Sequence, residues 1–313
     1  QSLSMQSQLV RVQQLMHHCL SNTGQGPAQQ ASEYQITTGG SLLRARLALI
    51  STEAFDCPPD YRIASAAACE LVHNASLVHD DLCDGDPVRR NRATVWKRYG
   101  KDVALCSGDL LLCAAFNASC HLDDARQACE LTRLVAQLTS DVIVGQSLEV
   151  APDSGKHNPG LRQYLQATRA KTVPLIRLPL AAGALLIPDN HQVQGAIDQL
   201  AGAMGLAYQI VDDLDDLLLA RPNLHAFHAW HHHRIPGCDS RAARLHRASR
   251  HALAALQRAG YQLKVLALLA PGPVEEQLAP LIEKLRARAL EHRRSANDNR
   301  ERIADAAAKF STE

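Results

Sequence analysis

Most of this chain is written in long stretches of strong helix formers, and that restricts its fold before any motif is read. Segments such as "IASAAACELVHNASLVHDDL", "ARQACELTRLVAQLTSDVIVGQSLEV" and "VQGAIDQLAGAMGLAYQIVDDLDDLLL" are rich in Ala, Leu and Gln. Their apolar residues recur at three- and four-residue steps, the period of a half-buried helix. No alternating run rich in β-branched residues occurs, and no Asn-Gly hairpin signal separates strand-like segments. The chain therefore reads as all-α. Turn chemistry marks breaks at 22–28, 56–60, 151–160, 187–191 and 220–223. None is long or simple enough to link domains, so residues 1–313 are expected to form a single large helical bundle. With 313 residues, 46% of them hydrophobic, the chain can bury a large core. One variable surface loop is expected at 220–237, histidine-rich from His225 to His233. The four residues before Met5 read as a remnant of a tag.

Charge excludes several functions. Lys plus Arg number 33 against 32 Asp plus Glu, so no bulk excess draws the chain to nucleic acid or an anionic membrane. Any electrostatic function must be local. The nine cysteines show no CxxC pair or zinc-finger spacing, and read as reduced thiols in a cytoplasmic setting. The start has no basic region leading into an apolar run, so no signal peptide is expected. Apolar stretches are interrupted by Asp, His or Arg, and no integral membrane segment is expected.

The local charge lies in two places. "SLVHDDLCDGDPVRR", residues 76–90, puts Asp80, Asp81 and Asp84 ahead of Arg89 and Arg90, and "YQIVDDLDD" repeats the acidic half at Asp212, Asp213 and Asp216. Positions i, i+3 and i+4 share a helix face, so each triplet is expected to project together. Like charges at that spacing destabilise a helix and call for a cation. Mg2+ is the natural one, being hard, oxygen-loving and commonly completed by phosphate oxygens. Two clusters on separate helices would hold such ions around one diphosphate, and guanidinium forks match the remaining oxygens. Arg89 and Arg90 follow Pro87 and are expected to stand too far off to neutralise the carboxylates directly. A solvated acidic helix end would explain one such motif; two, each led by an apolar run, fit it poorly.

These motifs, with "GGSLLR", "CSGDLLL", "GQSLEV" and "RAKT" in order between and around them, resemble the trans-type polyprenyl (isoprenyl) diphosphate synthases over residues 35–216. The resemblance implies a helical bundle of the isoprenoid synthase type with a central cavity, as a homodimer. It implies that Asp80, Asp81, Asp84, Asp212, Asp213 and Asp216 hold about three Mg2+ ions, for which Mn2+ substitutes. The metals draw charge from an allylic diphosphate, which ionises; isopentenyl diphosphate attacks the cation, and no side-chain nucleophile is needed. Arg89 and Lys171 would contact the allylic diphosphate, and Arg44, His73 and Arg90 isopentenyl diphosphate. Thr172 and Gln209 would turn oxygen dipoles toward the cation. Gln146 reads as a helix bridge, Glu149 and Asp109 as structural, and the histidine triplet 231–233 as a loop rather than a metal site.

The match departs at two places. The family usually writes GGKRxR where this chain has Gly39-Gly40-Ser41-Leu42-Leu43-Arg44, so the lysine expected on isopentenyl diphosphate is Ser41. After the second acidic motif the usual glycines, aspartate and lysine are absent. Arg46, Arg221 or a protonated histidine of the 220–237 loop are the candidate replacements. The expected activity is chain elongation with a modified acceptor site. Alternatives are an enzyme that ionises an allylic diphosphate for another acceptor, in the manner of a terpene synthase, or a non-catalytic partner subunit of a heteromeric synthase. Small residues at Ala75 and Ser76, before Asp80, leave room for a tail of C20 or longer.

Overall fold

Pro59 and Gly85 bracket the helix that carries the first acidic motif. Proline at the first helical position loses no hydrogen bond there, and Gly85 takes the left-handed conformation (φ 71°) that ends the helix one residue after Asp84. In a computed structural model, residues 4–22, 24–150, 161–218 and 241–310 are described, without side chains at 149, 216–218, 241 and 297–310. The loop at 220–237, with its histidines and Arg221, lies outside the described residues. The elements in order are α1 (Met5–Ser21), α2 (Pro27–Thr37), α3 (Leu43–Ala54), α4 (Pro59–Asp84), β1 (Val88–Arg89), β2 (Arg92–Ala93), α5 (Val95–Tyr99) and α6 (Lys101–Ser119). Then follow α7 (Ala125–Val150), α8 (Leu161–Ala184), α9 (His191–Leu218), α10 (Arg241–Leu269) and α11 (Val274–Phe310). The expectation of an all-α chain is met but for the short ribbon.

That ribbon was not legible in the sequence. β1 and β2 pair antiparallel, Val88 with Ala93 and Arg89 with Arg92. The two turn residues, Arg90 (φ 50°) and Asn91 (φ 60°), are both left-handed, as the tightest hairpin turns require. The usual Asn-Gly signal is replaced by Arg-Asn, and outside bonds hold the turn's base. The Thr94 hydroxyl and the Trp96 indole N–H both donate to the Asp86 carbonyl, at 2.7 and 2.8 Å.

The chain divides into two compact units, each assembled from separate stretches. The first comprises 1–143, 174–197 and 266–274; the second comprises 144–173, 198–265 and 275–313. In the first unit α4 is the central helix, with most of its residues from Tyr61 to Val78 buried, and α1, α3 and α6 pack against it. Two close approaches fix that packing. A Cβ at Gly183 of α8 would stand 2.5 Å from the Ser51 backbone, so the two chains touch there, and the Ser51 hydroxyl donates to the Leu180 carbonyl. A Cβ at Gly108 of α6 would strike the His79 ring at 2.1 Å. The glycine of "CSGDLLL" thus seats the histidine just before Asp80.

α6 bears on the expectation of no membrane segment. By length and composition alone its 19 residues, with mean hydropathy 1.2, are apolar enough to cross a membrane. Asp109 does not lower the average enough. Its packing against α4 identifies it as a core helix of the first unit. Among the described residues all eight cysteines are free thiols. Burial raises the Cys19 and Cys57 thiols to a pKa of about 11, so they are packed, unreactive groups.

Candidate functional site

Within the first acidic motif the helical period separates the three carboxylates instead of grouping them. Asp80 and Asp84, four residues apart, are half-buried and exposed, whereas Asp81, a third of a turn round, is 2% exposed. The ribbon folds Arg89 back onto Asp81: its Nε and Nη2 lie 2.8 and 2.7 Å from Asp81 Oδ1. Arg89 therefore does neutralise a carboxylate of the motif, contrary to the reading from sequence distance. Pro87 turns the chain and the two-residue turn returns it, so eight residues of separation become direct contact. Burial pushes the Asp81 carboxyl above its usual range, and the Arg89 bond and charge pull it back. The pair leaves Asp80 and Asp84 as the outward oxygens of α4.

The second motif, in the second unit, repeats this division. Asp212 is exposed and Asp213 is buried at 5% exposure. Tyr164 Oη donates to Asp213 Oδ2 at 2.5 Å, and Gln209 Nε2 donates to Oδ1 at 2.9 Å. The chain of bonds continues to Thr172, whose hydroxyl donates to Gln209 Oε1 at 2.8 Å. Two glycines bring these helices together. A Cβ at Gly145 of α7 would stand 2.6 Å from the Ala170 backbone of α8, and one at Gly205 of α9 would stand 3.0 Å from Val173 Cγ2. The motifs "GQSLEV" and "RAKT" are thus a backbone contact, with half-buried Lys171 and buried Thr172 just beyond it. Gln146 beside Gly145 has its amide buried with no hydrogen-bond partner among the described residues. It does not bridge helices there.

Tyr164 was missed in the sequence. Its signal is helical spacing: Tyr164, Thr168 and Thr172 follow at four-residue steps, and Thr168 and Thr172 are both buried. Burial first, and the neighbouring Asp213 second, hold the Tyr164 phenol protonated far above the usual range. The side chains of Asp216 and Glu149 lie outside the described residues. Asp109 is exposed, 3.6 Å from His79 Nε2.

A third cluster lies on α3 and α4, in the first unit. Glu70 Oε2 accepts the Ala45 N–H at 3.0 Å, so a carboxylate from α4 caps the start of α3. Burial raises Glu70 above the carboxylate range, opposed by that bond and then by Arg44 and Arg90. This carboxylate also went unremarked in the sequence, because the cap it supplies comes from 25 residues away. Buried Arg44 and His73 stand near it. Arg90 Nη1 donates to the Gly39 carbonyl, and its guanidinium lies against Gly40 where a Cβ would not fit. Ser41 is exposed, and its carbonyl accepts Arg46 Nε at 3.0 Å. Gly39, Gly40, Leu42, Glu70, Asn74 and Arg90 line a pocket of about 40 Å³, room for water only.

His73 is held neutral, because burial and then Arg44, Arg90 and Arg89 all lower its pKa well below 6.5. The folded value lies beneath the unfolded one, so the unfolded chain binds the extra proton. Stability is then full above about pH 6.5 and falls below it by at most about 1.4 kcal/mol per pH unit. His73→Gln is expected to flatten the fall in Tm between about pH 7 and about pH 5. An unchanged slope in thermal melts would show that this imidazole protonates freely in the fold.

The carboxylates suit a hard divalent cation. Among the described residues no three His, Cys, Asp or Glu side chains enclose an ion by themselves. The outward carboxylates, Asp80 and Asp84 in the first unit and Asp212 in the second, are each of the kind such a cation takes, with the rest of its shell from water and phosphate.

A helical fold bearing two such acidic helices and an arginine cluster defines a class: the helical synthases of isoprenoid chemistry. The fold matches geranylgeranyl pyrophosphate synthetase from Pyrococcus horikoshii, with TM-score 0.75, 21% identity and cover of 90% of this chain and 96% of that one. Residues 25–224 match the family model described as polyprenyl synthetase, and this chain belongs to that family. A short chain isoprenyl diphosphate synthase of Methanocaldococcus jannaschii is 31% identical over 188 residues, 60% of this chain and 57% of that protein. A dimethylallyltranstransferase of Fischerella ambigua is 30% identical over 262 residues, 81% of this chain and 72% of that protein. A farnesyl diphosphate synthase of Mycobacterium tuberculosis is 36% identical over 175 residues, and the match spans 48% of its length.

Proposed function

We propose that this chain is a prenyltransferase that joins an allylic diphosphate to isopentenyl diphosphate and releases a longer trans-prenyl diphosphate. The observation that carries this reading is the shared division of labour in both acidic motifs, an outward aspartate beside a buried one held by another side chain. Asp80, Asp84, Asp212 and Asp216 would hold the divalent ions, with Mg2+ as the expected metal. Bound there, the metal supplies Lewis-acid neutralisation of the leaving diphosphate. Asp81 and Asp213 serve the same site from behind, Asp81 by aiming Arg89 and Asp213 by fixing Gln209.

The remaining roles follow from hydrogen-bond direction. Thr172 commits its proton to Gln209, so its lone pairs are what it offers to a developing cation. Arg89 and Lys171 would bind the allylic diphosphate; Arg44, Arg90 and neutral His73 would bind isopentenyl diphosphate. Names of the relatives, short chain isoprenyl and farnesyl diphosphate synthases among them, support the substrate class. Apolar side chains left exposed on α6 and α7, Leu105, Ile143, Val144 and Leu148, support a homodimer.

A product of C20 or longer is proposed from Ala75 and Ser76. Ala75 is wholly buried, whereas Ser76 is half-buried and turns its hydroxyl to the His73 carbonyl at 2.7 Å. Ser76 is therefore the position with room to change. Ser76→Phe is expected to shorten the product by one isoprene unit or more, read by chromatography of the dephosphorylated alcohols. Ala75→Phe would overpack the site at a cost of about 1–3 kcal/mol. An unchanged product in Ser76→Phe would place the floor elsewhere.

Incubation with Mg2+, farnesyl diphosphate and radiolabelled isopentenyl diphosphate tests the activity; no labelled longer product would defeat the reading. One observation favours a second reading. Ser41 carries no cation and Arg90 is engaged with Gly39, so the acceptor half is weaker than the allylic half. Diphosphate release from the allylic substrate alone, without isopentenyl diphosphate, would identify a terpene synthase-like ionising enzyme.

A further inference from the structure

The second acidic motif holds one carboxylate more than the site requires. Asp212, Asp213, Asp215 and Asp216 put four acids into five positions of α9. Asp213 is occupied by Tyr164 and Gln209. Asp215 is occupied from another helix: Arg288 Nη2 binds Oδ2, and His292 Nε2 lies 2.6 Å from Oδ1. Arg288 and His292 stand one turn apart on α11, so a single face of that helix grips both oxygens of one side chain. The His292 side chain is 3% exposed whereas Arg288 and Asp215 are 31% and 33% exposed, so the contact is packed on the histidine side and partly open on the arginine side.

The helical period gives the contact a consequence. Asp212 and Asp215 are three residues apart and lie on neighbouring lines of α9, with Asp216 next to both. Unpaired, Asp215 would compete with Asp216 as the second oxygen donor beside Asp212. Paired, it is withdrawn, and α9 cannot roll about its axis without breaking bonds to two side chains of α11.

We infer that Asp215, Arg288 and His292 form a positioning clamp that sets the rotation of α9, so that Asp212 and not Asp215 meets the divalent cation. This rests on the proposed diphosphate chemistry. None of the three side chains touches substrate or metal in this role.

The sign of one mutation separates the clamp from simpler accounts. Binding of Mn2+ by the full chain is followed by electron paramagnetic resonance in the presence of inorganic diphosphate. If Arg288 acts only through its charge, Arg288→Ala removes a repulsive cation and tightens Mn2+. If it serves only to fasten α11, the Tm falls and Mn2+ half-saturation does not move. The clamp predicts the opposite of the first and more than the second: half-saturation rises about tenfold, the range seen when a supporting residue of a metal ligand is lost. Asp215→Ala should weaken Mn2+ similarly, the double variant should be no worse than the worse single one, and Arg288→Lys should recover most of the affinity. Tighter or unchanged Mn2+ binding in Arg288→Ala overturns the clamp. Should Arg288→Ala fail to fold, Arg288→Lys and Asp215→Asn decide: a raised half-saturation in Asp215→Asn beside near-wild-type binding in Arg288→Lys supports the clamp, and wild-type half-saturation in Asp215→Asn overturns it. Wild-type protein that binds no Mn2+ with diphosphate overturns the proposed activity as well, which no result on the variants alone would do.

Discussion

Asp80→Ala and Asp212→Ala are each expected to lower kcat/KM by about a thousandfold, equivalent to ~4 kcal/mol of lost transition-state stabilisation. The folded protein should not suffer. Asp80 and Asp84 are like charges four residues apart on α4, an arrangement that costs a helix a few tenths of a kcal/mol, about 0.2–0.5. Removing Asp80 relieves that repulsion but also takes a favourable charge from the Arg89 guanidinium, so the Tm of Asp80→Ala should change little while activity collapses. Asp81→Ala should behave in the reverse way. Its carboxylate is buried and holds Arg89, so truncation strands a guanidinium and costs about 1–3 kcal/mol of stability. Paired melting and steady-state measurements on the two variants check this. Equal losses of activity and stability at both positions would mean that the outward and inward aspartates do not divide the work.

Ser41→Lys is the second large effect, and it is a gain. Ser41 is exposed in the turn before α3, where the chain around it already carries Arg44, Arg46 and Arg90 but no lysine. One charge-assisted contact to a diphosphate contributes about 1.5–3 kcal/mol, so KM for isopentenyl diphosphate should fall by roughly ten- to a hundredfold. KM for the allylic substrate should not move, because Arg89 and Lys171, proposed to bind it, are untouched by the change. Initial rates with each substrate varied in turn give both values. No change for isopentenyl diphosphate would mean that Arg46, held on the Ser41 carbonyl at 3.0 Å, already supplies the missing cation.

The acidic motifs were legible because a metal-binding helix needs oxygens at fixed steps, and steps are visible in one dimension. The different surroundings of neighbouring aspartates were not legible in the same way. Which of Asp80 and Asp81 faces inward depends on what packs against α4, and that is set by α6, whose Gly108 receives His79 next to the motif. The Arg89 contact was misjudged for a related reason. Two left-handed residues at Arg90 and Asn91 reverse the chain, and neither residue type announces such a turn as glycine does. Tyr164 was hidden because a tyrosine on an amphipathic helix is ordinarily a core residue; only its partner Asp213 gives it a site.

By itself the sequence determined the helical class, the two acidic motifs and the altered turn at Ser41. Each of these is carried by residue type and local spacing, which folding does not change. Tertiary structure decided which aspartates face outward, that Arg89 serves Asp81, that Glu70 caps α3, and that Asp215 is gripped by Arg288 and His292 from 73 and 77 residues away. These outcomes depend on contacts between separate helices. A carboxylate's oxygens are the same wherever it stands, and only its neighbours determine whether they meet a metal, a guanidinium or a backbone N–H.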